Sequence, residues 1–562
     1  MKQSSIVLFL IVSFFNLSQI FGQSSENYSV NYAELMARYA VLNSKYNTCD
    51  LISFGLTDSG EPLHLLLINS DGEFYPEAIH NKTVLLIQNG IHAGEPCGVD
   101  ASIEWAEEML ANNTIPENVV IGIIPVYNIG GIKNRGCCSR ANQNGPSELG
   151  FRGNARNLDL NRDYIKADSK NAMAFYRLFH WLKPELLIDT HTSNGADYQY
   201  TMTLLTTRKE RLDPHLSQYL ATKLEPYIYA NFDSLSPYVN VFGTTPNNGI
   251  KSFNDLPRFT TGYAALFNCI GFTTEAHMWK PFDERKKATT KFIKLLTKFA
   301  NENAAELQDN KRITDAENPR SFEAVNLKLD TSRFDSIEFL SFAPEFRYSD
   351  ILGKDQLYYN RNKPEVITIP YYNYFNKTSE INVPSRFVIS GSWKEVVQRL
   401  QANNMQMVLI SEDTIISGVG TYVKGFESSK TPYEGHFLHT NIVTVDSNIA
   451  MQFYAGDYMI STKQPGWKYL LQVLITESKD SFFAWNFYDE IAQQKEWYSA
   501  YVFEPYAQEM LANDVFLQME YDHRLEVDPM FSEGSYRLYW LYTKSPFYES
   551  VHNRVPILKI YE

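Results

Sequence analysis

Cysteine is scarce in this sequence: only five cysteines occur among 562 residues, at positions 49, 97, 137, 138 and 269. An odd number of cysteines in so long a chain excludes the disulfide framework of a small secreted domain. Cys137 and Cys138 are adjacent, a spacing that suits no zinc finger. Cys97 is expected to have a packing role.

Long apolar runs and clusters of basic residues are also missing. After the N-terminal region, no segment reaches the roughly 18 consecutive apolar residues that a membrane-spanning helix needs. The formal net charge is −14, and no run of lysine and arginine stands out. Because such a protein repels a phosphate backbone, we expect no nucleic acid partner.

The N-terminus has the features of an export signal. Lys2 supplies a positive charge, Ile6–Phe15 is a short apolar run, and Gly22 offers a cleavage point. Residues 1–22 are therefore predicted to be a signal peptide, and the mature protein to be secreted or periplasmic, with no stable membrane insertion after cleavage. A retained membrane anchor is the alternative.

The composition, with 44% hydrophobic and 21% charged residues, is that of a globular protein, and the length predicts two domains. Apolar runs alternate with helical patterns from Asn31 to about Asn303, which predicts an α/β domain with a mixed, mostly parallel sheet flanked by helices. The predicted strands are Thr83–Gln88, Val119–Val126, Leu186–Asp189 and Gly271–Thr274, and the predicted helices are Ala101–Leu110, Ala172–Leu182 and Lys286–Ala300. We assign residues 23–309 to this domain, 310–320 to a polar linker, and 321–562 to a smaller β-rich domain.

Two segments supply candidate metal ligands. The letters QNGIHAGEP follow a predicted strand and precede a predicted helix, so this loop can direct His92 and Glu95 at one point. The letters LLIDTHT place His191 at the end of another apolar strand, where Asp189 could support it. Zinc accepts imidazole and carboxylate ligands, and a catalytic site commonly uses three of them. The pattern therefore predicts a site for one Zn²⁺.

Two further elements suggest catalysis and substrate binding. Glu275 ends another apolar strand, and a buried glutamate needs either an arginine neighbour or a catalytic task such as that of a general base. Arg162 follows Asn161, and its planar guanidinium suits a carboxylate held by two hydrogen bonds. A structural pair of Arg162 with Asp159 or Asp163 is the alternative.

The order of these elements resembles the zinc carboxypeptidase family. An HxxE motif, an Asn-Arg pair, a histidine at a strand end and a late glutamate follow one another between Asn31 and about Asn303. The C-terminal region, including Glu477–Ser481 and Trp485–Glu496, resembles that of exported bacterial members.

The resemblance implies a role for each candidate residue. The implied zinc ligands are His92, Glu95 and His191. Glu275 is implied as general base and acid, and Asn161 with Arg162 as the pair that grips the terminal carboxylate of the substrate. Arg140 is the best match for the arginine that polarises the scissile carbonyl, with Arg135 as the alternative.

Two positions depart from the family pattern. Phe253 and Asn254 stand where the family has a mobile tyrosine, and the nearest tyrosine, Tyr263, is much closer to Glu275 in sequence. The residue that reads the substrate side chain falls near Thr260, and a threonine predicts neither a basic nor a strongly acidic preference.

The resemblance implies a secreted zinc metallocarboxypeptidase that hydrolyses C-terminal peptide bonds of peptide or protein substrates with water activated by the metal. Two alternatives stay open. One is a zinc amidase acting on cell-wall peptides or other acylated amines, and the other is a non-catalytic binding protein on the same fold. The complete ligand set together with Glu275 argues against the non-catalytic alternative.

Overall fold

The computed structural model describes residues 27–561, and the predicted signal peptide lies outside these residues. The helices are α1 Tyr32–Lys45, α2 Pro76–His80, α3 Cys97–Ala111, α4 Ile129–Lys133, α5 Lys170–Leu182, α6 Pro214–Tyr219, α7 Glu225–Asn231, α8 Thr260–Ala265, α9 Phe282–Glu302, α10 Ala304–Ala316, α11 Lys394–Ala402, α12 Trp467–Leu474, α13 Ala500–Asn513, α14 Val515–Val527 and α15 Gly534–Lys544. The strands are β1 Cys49–Leu56, β2 Pro62–Ile68, β3 Thr83–Gln88, β4 Val119–Ile124, β5 Leu186–Ser193, β6 Met202–Thr206, β7 Leu235–Pro237, β8 Ile250–Lys251, β9 Ile270–His277, β10 Phe322–Leu329, β11 Asp335–Ser349, β12 Lys354–Tyr372, β13 Phe375–Asn382, β14 Arg386–Ile389, β15 Val408–Leu409, β16 Thr414–Ser428, β17 His439–Phe453, β18 Tyr458–Ser461 and β19 Arg554–Ile560. None of the helices between residues 27 and 561 is long and apolar enough to cross a membrane.

An eight-stranded sheet with the order β1-β2-β4-β3-β5-β9-β6-β7 forms the centre of the N-terminal region. Its middle strands β4, β3, β5 and β9 are parallel, whereas β1, β2 and β6 join by antiparallel pairing. The four predicted strands are β3, β4, β5 and β9. The predicted α/β fold class with a mostly parallel sheet is therefore confirmed.

Helices cover both faces of this sheet, which explains why its central strands read as continuous apolar runs. Successive side chains of a strand point to opposite faces, so Leu86 packs in one cluster with Phe175 of α5. Leu85 packs in the other cluster with Ile103 of α3 and Phe292 of α9. Both faces are thus sealed, and polar side chains collect at the carboxyl ends of the strands.

The C-terminal region is rich in β structure, as predicted. It contains a six-stranded sheet with the order β15-β18-β14-β19-β16-β17, the long hairpin β11–β12, and the pair β10–β13. It differs from the prediction between residues 500 and 544, where the helices α13, α14 and α15 lie. Asp514 begins α14 by accepting a hydrogen bond from the Leu517 backbone N–H, a helix-capping contact.

Helix α10 occupies most of the segment that the sequence analysis assigned to a linker. Its buried residues Leu307, Asn310 and Thr314 are spaced three and four apart, so a single face of the helix packs against the protein. The other face meets solvent, which explains the polar composition of the segment. The domain boundaries themselves stay a prediction.

The cysteines form one disulfide among the described residues. Cys137 and Cys138 are joined to each other. Cys49, Cys97 and Cys269 are buried thiols, so the expected packing role suits Cys97.

The two regions share a continuous hydrophobic cluster. Phe175 and Tyr263 of the N-terminal region belong to the same cluster as Trp467, Tyr469 and Trp485 of the C-terminal region. Strand β8 also pairs in parallel with the end of β12. The C-terminal region is therefore packed onto the sheet domain rather than tethered beside it.

A buried ion pair joins the regions close to α8. The Arg258 guanidinium donates through Nε to Asp480 Oδ1 at 2.7 Å and stacks 4.6 Å from the ring of Trp485. The Arg258 backbone N–H and the Trp485 indole N–H also donate to the Asp480 carboxylate, at 2.9 Å and 3.1 Å. Asp480 is fully buried and Arg258 is 7% exposed, so neither charge can be rehydrated if its partner is lost.

Asp480→Ala should lower the free energy of unfolding by about 3–5 kcal/mol, because it leaves the Arg258 charge buried without its partner. The measurement is urea denaturation of the full chain. The control is Asp309→Ala, which removes an exposed partner of Arg312 and should leave the midpoint unchanged. Equal midpoints for Asp480→Ala and the wild type would contradict the structural role assigned to this pair.

Candidate active site

Three potential metal-binding side chains meet at the carboxyl ends of two neighbouring strands. His92 and Glu95 lie in the loop between β3 and α3, and His191 lies on β5, which pairs with β3. Gly90, with φ of 62°, allows this loop to turn directly after β3, and a Cβ at this position would approach Val126 to within 2.9 Å. The three residues suggested by sequence are thus brought together, as expected at this edge of a parallel sheet.

The donor atoms have a spacing that suits a zinc ion. His92 Nδ1 lies 3.2 Å from Glu95 Oε1, and His191 Nδ1 lies 3.2 Å from Glu95 Oε2. The three donor atoms all lie within 4.8 Å of one another, and all three residues are buried. Ligands at tetrahedral bond lengths of about 2.0–2.2 Å are separated by about 3.3–3.6 Å. The two histidines and the glutamate therefore fit the metal in both number and chemistry.

Each histidine turns its second ring nitrogen toward a buried carboxylate. His191 Nε2 lies 2.8 Å from Asp189 Oδ2, and His92 Nε2 lies 3.1 Å from Asp159 Oδ1. Such contacts orient a metal-ligating imidazole and raise its basicity. The sequence suggested Asp189 for this role, whereas Asp159 was expected only as a possible partner of Arg162. The sequence signal that could have indicated this role was an acidic residue two positions before Asn161.

The electrostatic environment keeps Glu95 charged. Burial by itself raises the pKa of a carboxyl group, but Arg140 and His92 act against burial and hold the pKa of Glu95 well below its ordinary value. For His191, burial lowers the pKa, but the Asp189 carboxylate outweighs it and raises the pKa well above the usual value.

Glu275 lies opposite His191 on the adjacent strand. Residues 191 and 275 are direct partners in the parallel pairing of β5 with β9, so both side chains reach the same end of the sheet. Burial raises the pKa of Glu275 to about 8, with His191 opposing this shift and Glu95 and Asp189 adding to it. A carboxyl group with a raised pKa can exchange a proton near neutral pH.

A cavity of about 490 Å³ is lined by His92, Glu95, His191 and Glu275, and by three arginines, Arg140, Arg152 and Arg162. Arg140 donates to Glu95 Oε1 at 2.8 Å. Arg152, which the sequence analysis did not single out, donates through Nε to Asp159 at 2.9 Å, and its side chain is 43% exposed. Arg135, the alternative to Arg140, instead binds Glu148 and the backbone near residue 30.

The predicted substrate-binding pair lines the same cavity. Arg162 Nε donates to the Tyr433 hydroxyl at 3.1 Å, and its Nη1 donates to the Asn161 carbonyl at 2.8 Å. The Asp159 carboxylate is 3.9 Å away, and Asp163 binds Lys166 instead. Among the described residues, Nη2 of Arg162 makes no hydrogen bond, so this edge of the guanidinium can receive a ligand.

Of the positions that depart from the family pattern, Phe253 and Thr260 line the cavity. Thr260 lines it, but the threonine hydroxyl donates to Asp189 at 2.6 Å and is therefore engaged. Phe253 lines the wall, where its ring contacts Tyr238 and Phe259. Tyr263 is fully buried in the core, and its hydroxyl donates to Asn403 at 2.7 Å. It therefore does not take the place of the family's mobile tyrosine.

Comparison with solved structures finds metallocarboxypeptidases of low sequence identity. A metallo-carboxypeptidase from Burkholderia cenocepacia is 14% identical, with 49% of this chain and 70% of that chain covered and a TM-score of 0.36. A metallo-carboxypeptidase from Pseudomonas aeruginosa, in complex with (2-guanidinoethylmercapto)succinic acid, is 13% identical over 49% and 70%, with a TM-score of 0.36. The carboxypeptidase A from Helicoverpa armigera is 15% identical over 50% and 76%, with a TM-score of 0.37.

The search of curated proteins finds no match to the chain. A family model does match: residues 36–266 fit the one described as zinc carboxypeptidase. The matched segment contains His92, Glu95, the Asn161–Arg162 pair and His191, and it ends before Glu275. Over residues 36–266, the chain therefore carries a domain of the zinc carboxypeptidase family, as its motifs predicted.

Proposed function

We propose that this protein is a zinc-dependent metallocarboxypeptidase that removes residues from the C-terminus of peptides. The observation that carries the proposal is the arrangement of a single cavity. It combines a buried His-Glu-His donor set, a facing glutamate and an arginine, Arg162, whose Nη2 makes no hydrogen bond to the part of the chain that the structure describes. The family match over residues 36–266 supports the same reaction class.

His92, Glu95 and His191 would hold the metal. When bound, zinc supplies Lewis acidity that polarises a carbonyl group and makes a water molecule more acidic. Asp159 and Asp189 keep the two imidazole rings oriented, with Nδ1 of each ring facing the Glu95 carboxylate. The low pKa of Glu95 keeps this ligand deprotonated.

Glu275 is proposed as the proton carrier. It faces the donor set from β9 and does not belong to it. In its ionised form the carboxylate accepts a proton from the attacking water and then returns that proton to the leaving amine. The raised pKa helps the first step, because a carboxylate whose conjugate acid is weaker is a stronger base toward the water.

The arginines are proposed to bind the substrate. Arg162, with Asn161 beside it, would hold the terminal carboxylate, since a guanidinium pairs with a carboxylate through two parallel hydrogen bonds. Arg140 would stabilise the negative charge that develops on the scissile carbonyl. Arg152 reaches the same cavity and carries positive charge next to His92.

Export is part of the proposal. The short apolar run Ile6–Phe15 behind Lys2 supports a signal peptide. We therefore propose that hydrolysis takes place in the periplasm or outside the cell.

His191→Ala should remove zinc while the chain stays folded, because two side chains bind zinc far less tightly than three. The measurement is zinc content after dialysis, with roughly one ion per chain expected for the wild type. The control is His523→Ala, which changes an exposed histidine and should keep the metal. Full zinc occupancy in His191→Ala would refute the ligand assignment.

Glu275→Gln should keep zinc and lower turnover by roughly two or more orders of magnitude, because the amide retains the size of the side chain but cannot carry the proton. Zinc content and kcat are measured on the same preparation. A variant with bound zinc and near-normal kcat would transfer the role to another carboxylate.

Arg162→Ala should depress kcat/KM on a peptide with a free C-terminus by roughly 30-fold to several thousand-fold, the effect of losing about 2–5 kcal/mol from a desolvated ion pair. The same peptide with an amidated C-terminus should be affected far less. The control is Arg312→Ala, an exposed arginine far in sequence from the site. Equal losses on both peptides would remove the carboxypeptidase function and leave the zinc amidase.

A further inference from the structure

A tight turn of the C-terminal region contacts Arg162, which lines the cavity of the candidate active site. Residues 433–436 (Tyr-Glu-Gly-His) form this turn, in which Tyr433 and His436 exchange backbone hydrogen bonds of 2.7 Å and 3.1 Å. Glu434 and Gly435 have φ of 52° and 86°. Positive φ at both central residues is the geometry of a two-residue hairpin connection, which presents its side chains at a fixed position.

The 433–436 turn contacts two residues of the segment 159–162, Asp159 and Arg162. The Tyr433 hydroxyl accepts a hydrogen bond from Arg162 Nε at 3.1 Å, and the Glu434 carboxylate accepts one from the Asp159 backbone N–H at 2.7 Å. Asp159 in turn supports His92. Two neighbouring residues of the C-terminal region thus hold the segment that links the metal donors to the carboxylate-binding arginine.

The turn is itself held firmly in place. The Tyr433 ring stacks on the fully buried Trp485, with centroids 6.0 Å apart and planes 15° apart. His436 Nε2 lies 2.7 Å from Asp168 Oδ2, and its Nδ1 lies 2.6 Å from Asn486. Because both ends of the turn are anchored, the Tyr433 hydroxyl has a fixed position, and its hydrogen bond restricts the movement of the Arg162 guanidinium.

The hydrogen bonds of Arg162 leave one orientation for its ligand. Nε is engaged by Tyr433 and one Nη1 hydrogen by the Asn161 carbonyl, while the ring of Phe259 lies 4.6 Å from the guanidinium carbon. A long, flexible arginine side chain loses conformational entropy when it binds a ligand, so fixing it in advance strengthens binding.

We infer that the C-terminal region takes part in substrate recognition through the 433–436 turn, with Tyr433 as the positioning residue that aims Arg162 at the substrate carboxylate. The inference rests on the proposed function and extends it, because it makes the carboxylate specificity depend on a residue outside the segment that matches the family. Tyr433 acts through Arg162 and does not itself take part in the reaction.

The experiment uses the full zinc-loaded chain and one peptide in free-acid and amide forms. Tyr433→Phe removes the hydroxyl and keeps the ring on Trp485. It should lower kcat/KM on the free acid by roughly tenfold to 150-fold, the effect of a lost hydrogen bond to a charged group. The loss should lie mainly in KM, while activity on the amide, zinc content and Tm stay unchanged.

Two further variants make the test specific. Tyr422→Phe removes another hydroxyl of the C-terminal region, one that donates to the Ser550 carbonyl at 3.2 Å, and should match the wild type. In the Arg162→Ala background, Tyr433→Phe should have no additional effect, because the two residues act as one unit.

Each remaining outcome counts against the inference. Wild-type kinetics for Tyr433→Phe, equal losses on both peptides with a lower Tm, or an undiminished effect in the Arg162→Ala background would each leave the turn with only a structural role. A wild-type chain that cleaves acid and amide equally would overturn the proposed function itself, and the inference with it.

Discussion

The buried carboxylate of Glu95 is the centre of the electrostatic arrangement on which the cavity depends. A charged carboxylate removed from water is costly unless positive or hydrogen-bonding groups surround it. Here Arg140, His92, His191 and the Thr192 backbone N–H approach its two oxygens at 2.8–3.2 Å. A bound cation would also contact the Glu95 carboxylate. The charge balance of the cavity therefore depends on how the cation and these groups divide the two oxygens of Glu95 between them.

The sheet makes this arrangement possible. Strands β3, β5 and β9 are parallel neighbours, and their carboxyl ends deliver the donor loop, His191 and Glu275 to a single edge. The buried carboxylates Asp159 and Asp189 lie one contact further from the cavity and fix the histidine rings. The C-terminal region supports the site as well. The hydrophobic cluster that it shares with the sheet domain and the Arg258–Asp480 ion pair hold the cavity wall near Thr260 in place.

The features that could be predicted from the sequence are those that short segments determine, namely the central strands and the polar residues at their ends. The strands around His92, His191 and Glu275 are continuous apolar runs, and a polar residue at the end of such a run marks the functional edge of a parallel sheet. Asp159, Arg152 and Tyr433 were missed as site residues because their roles depend on contacts between distant parts of the chain. The hydroxyl of Thr260 donates to Asp189, a contact between residues far apart in sequence that no local pattern could predict. Residues 310–316 of helix α10 were predicted to belong to a linker because the buried face of the helix contributes few apolar residues.

X-ray absorption spectroscopy of the zinc-loaded chain tests most directly whether two imidazoles and one carboxylate hold zinc in this cavity. The Cys97 thiol is buried close to His191, with its sulfur 3.7 Å from the His191 carbonyl oxygen, so a sulfur ligand is the nearest competitor. We predict about four nitrogen and oxygen neighbours at about 2.0–2.2 Å, two of them from imidazoles, and no sulfur. A sulfur shell at about 2.3 Å, or a spectrum without imidazole scattering, would contradict it.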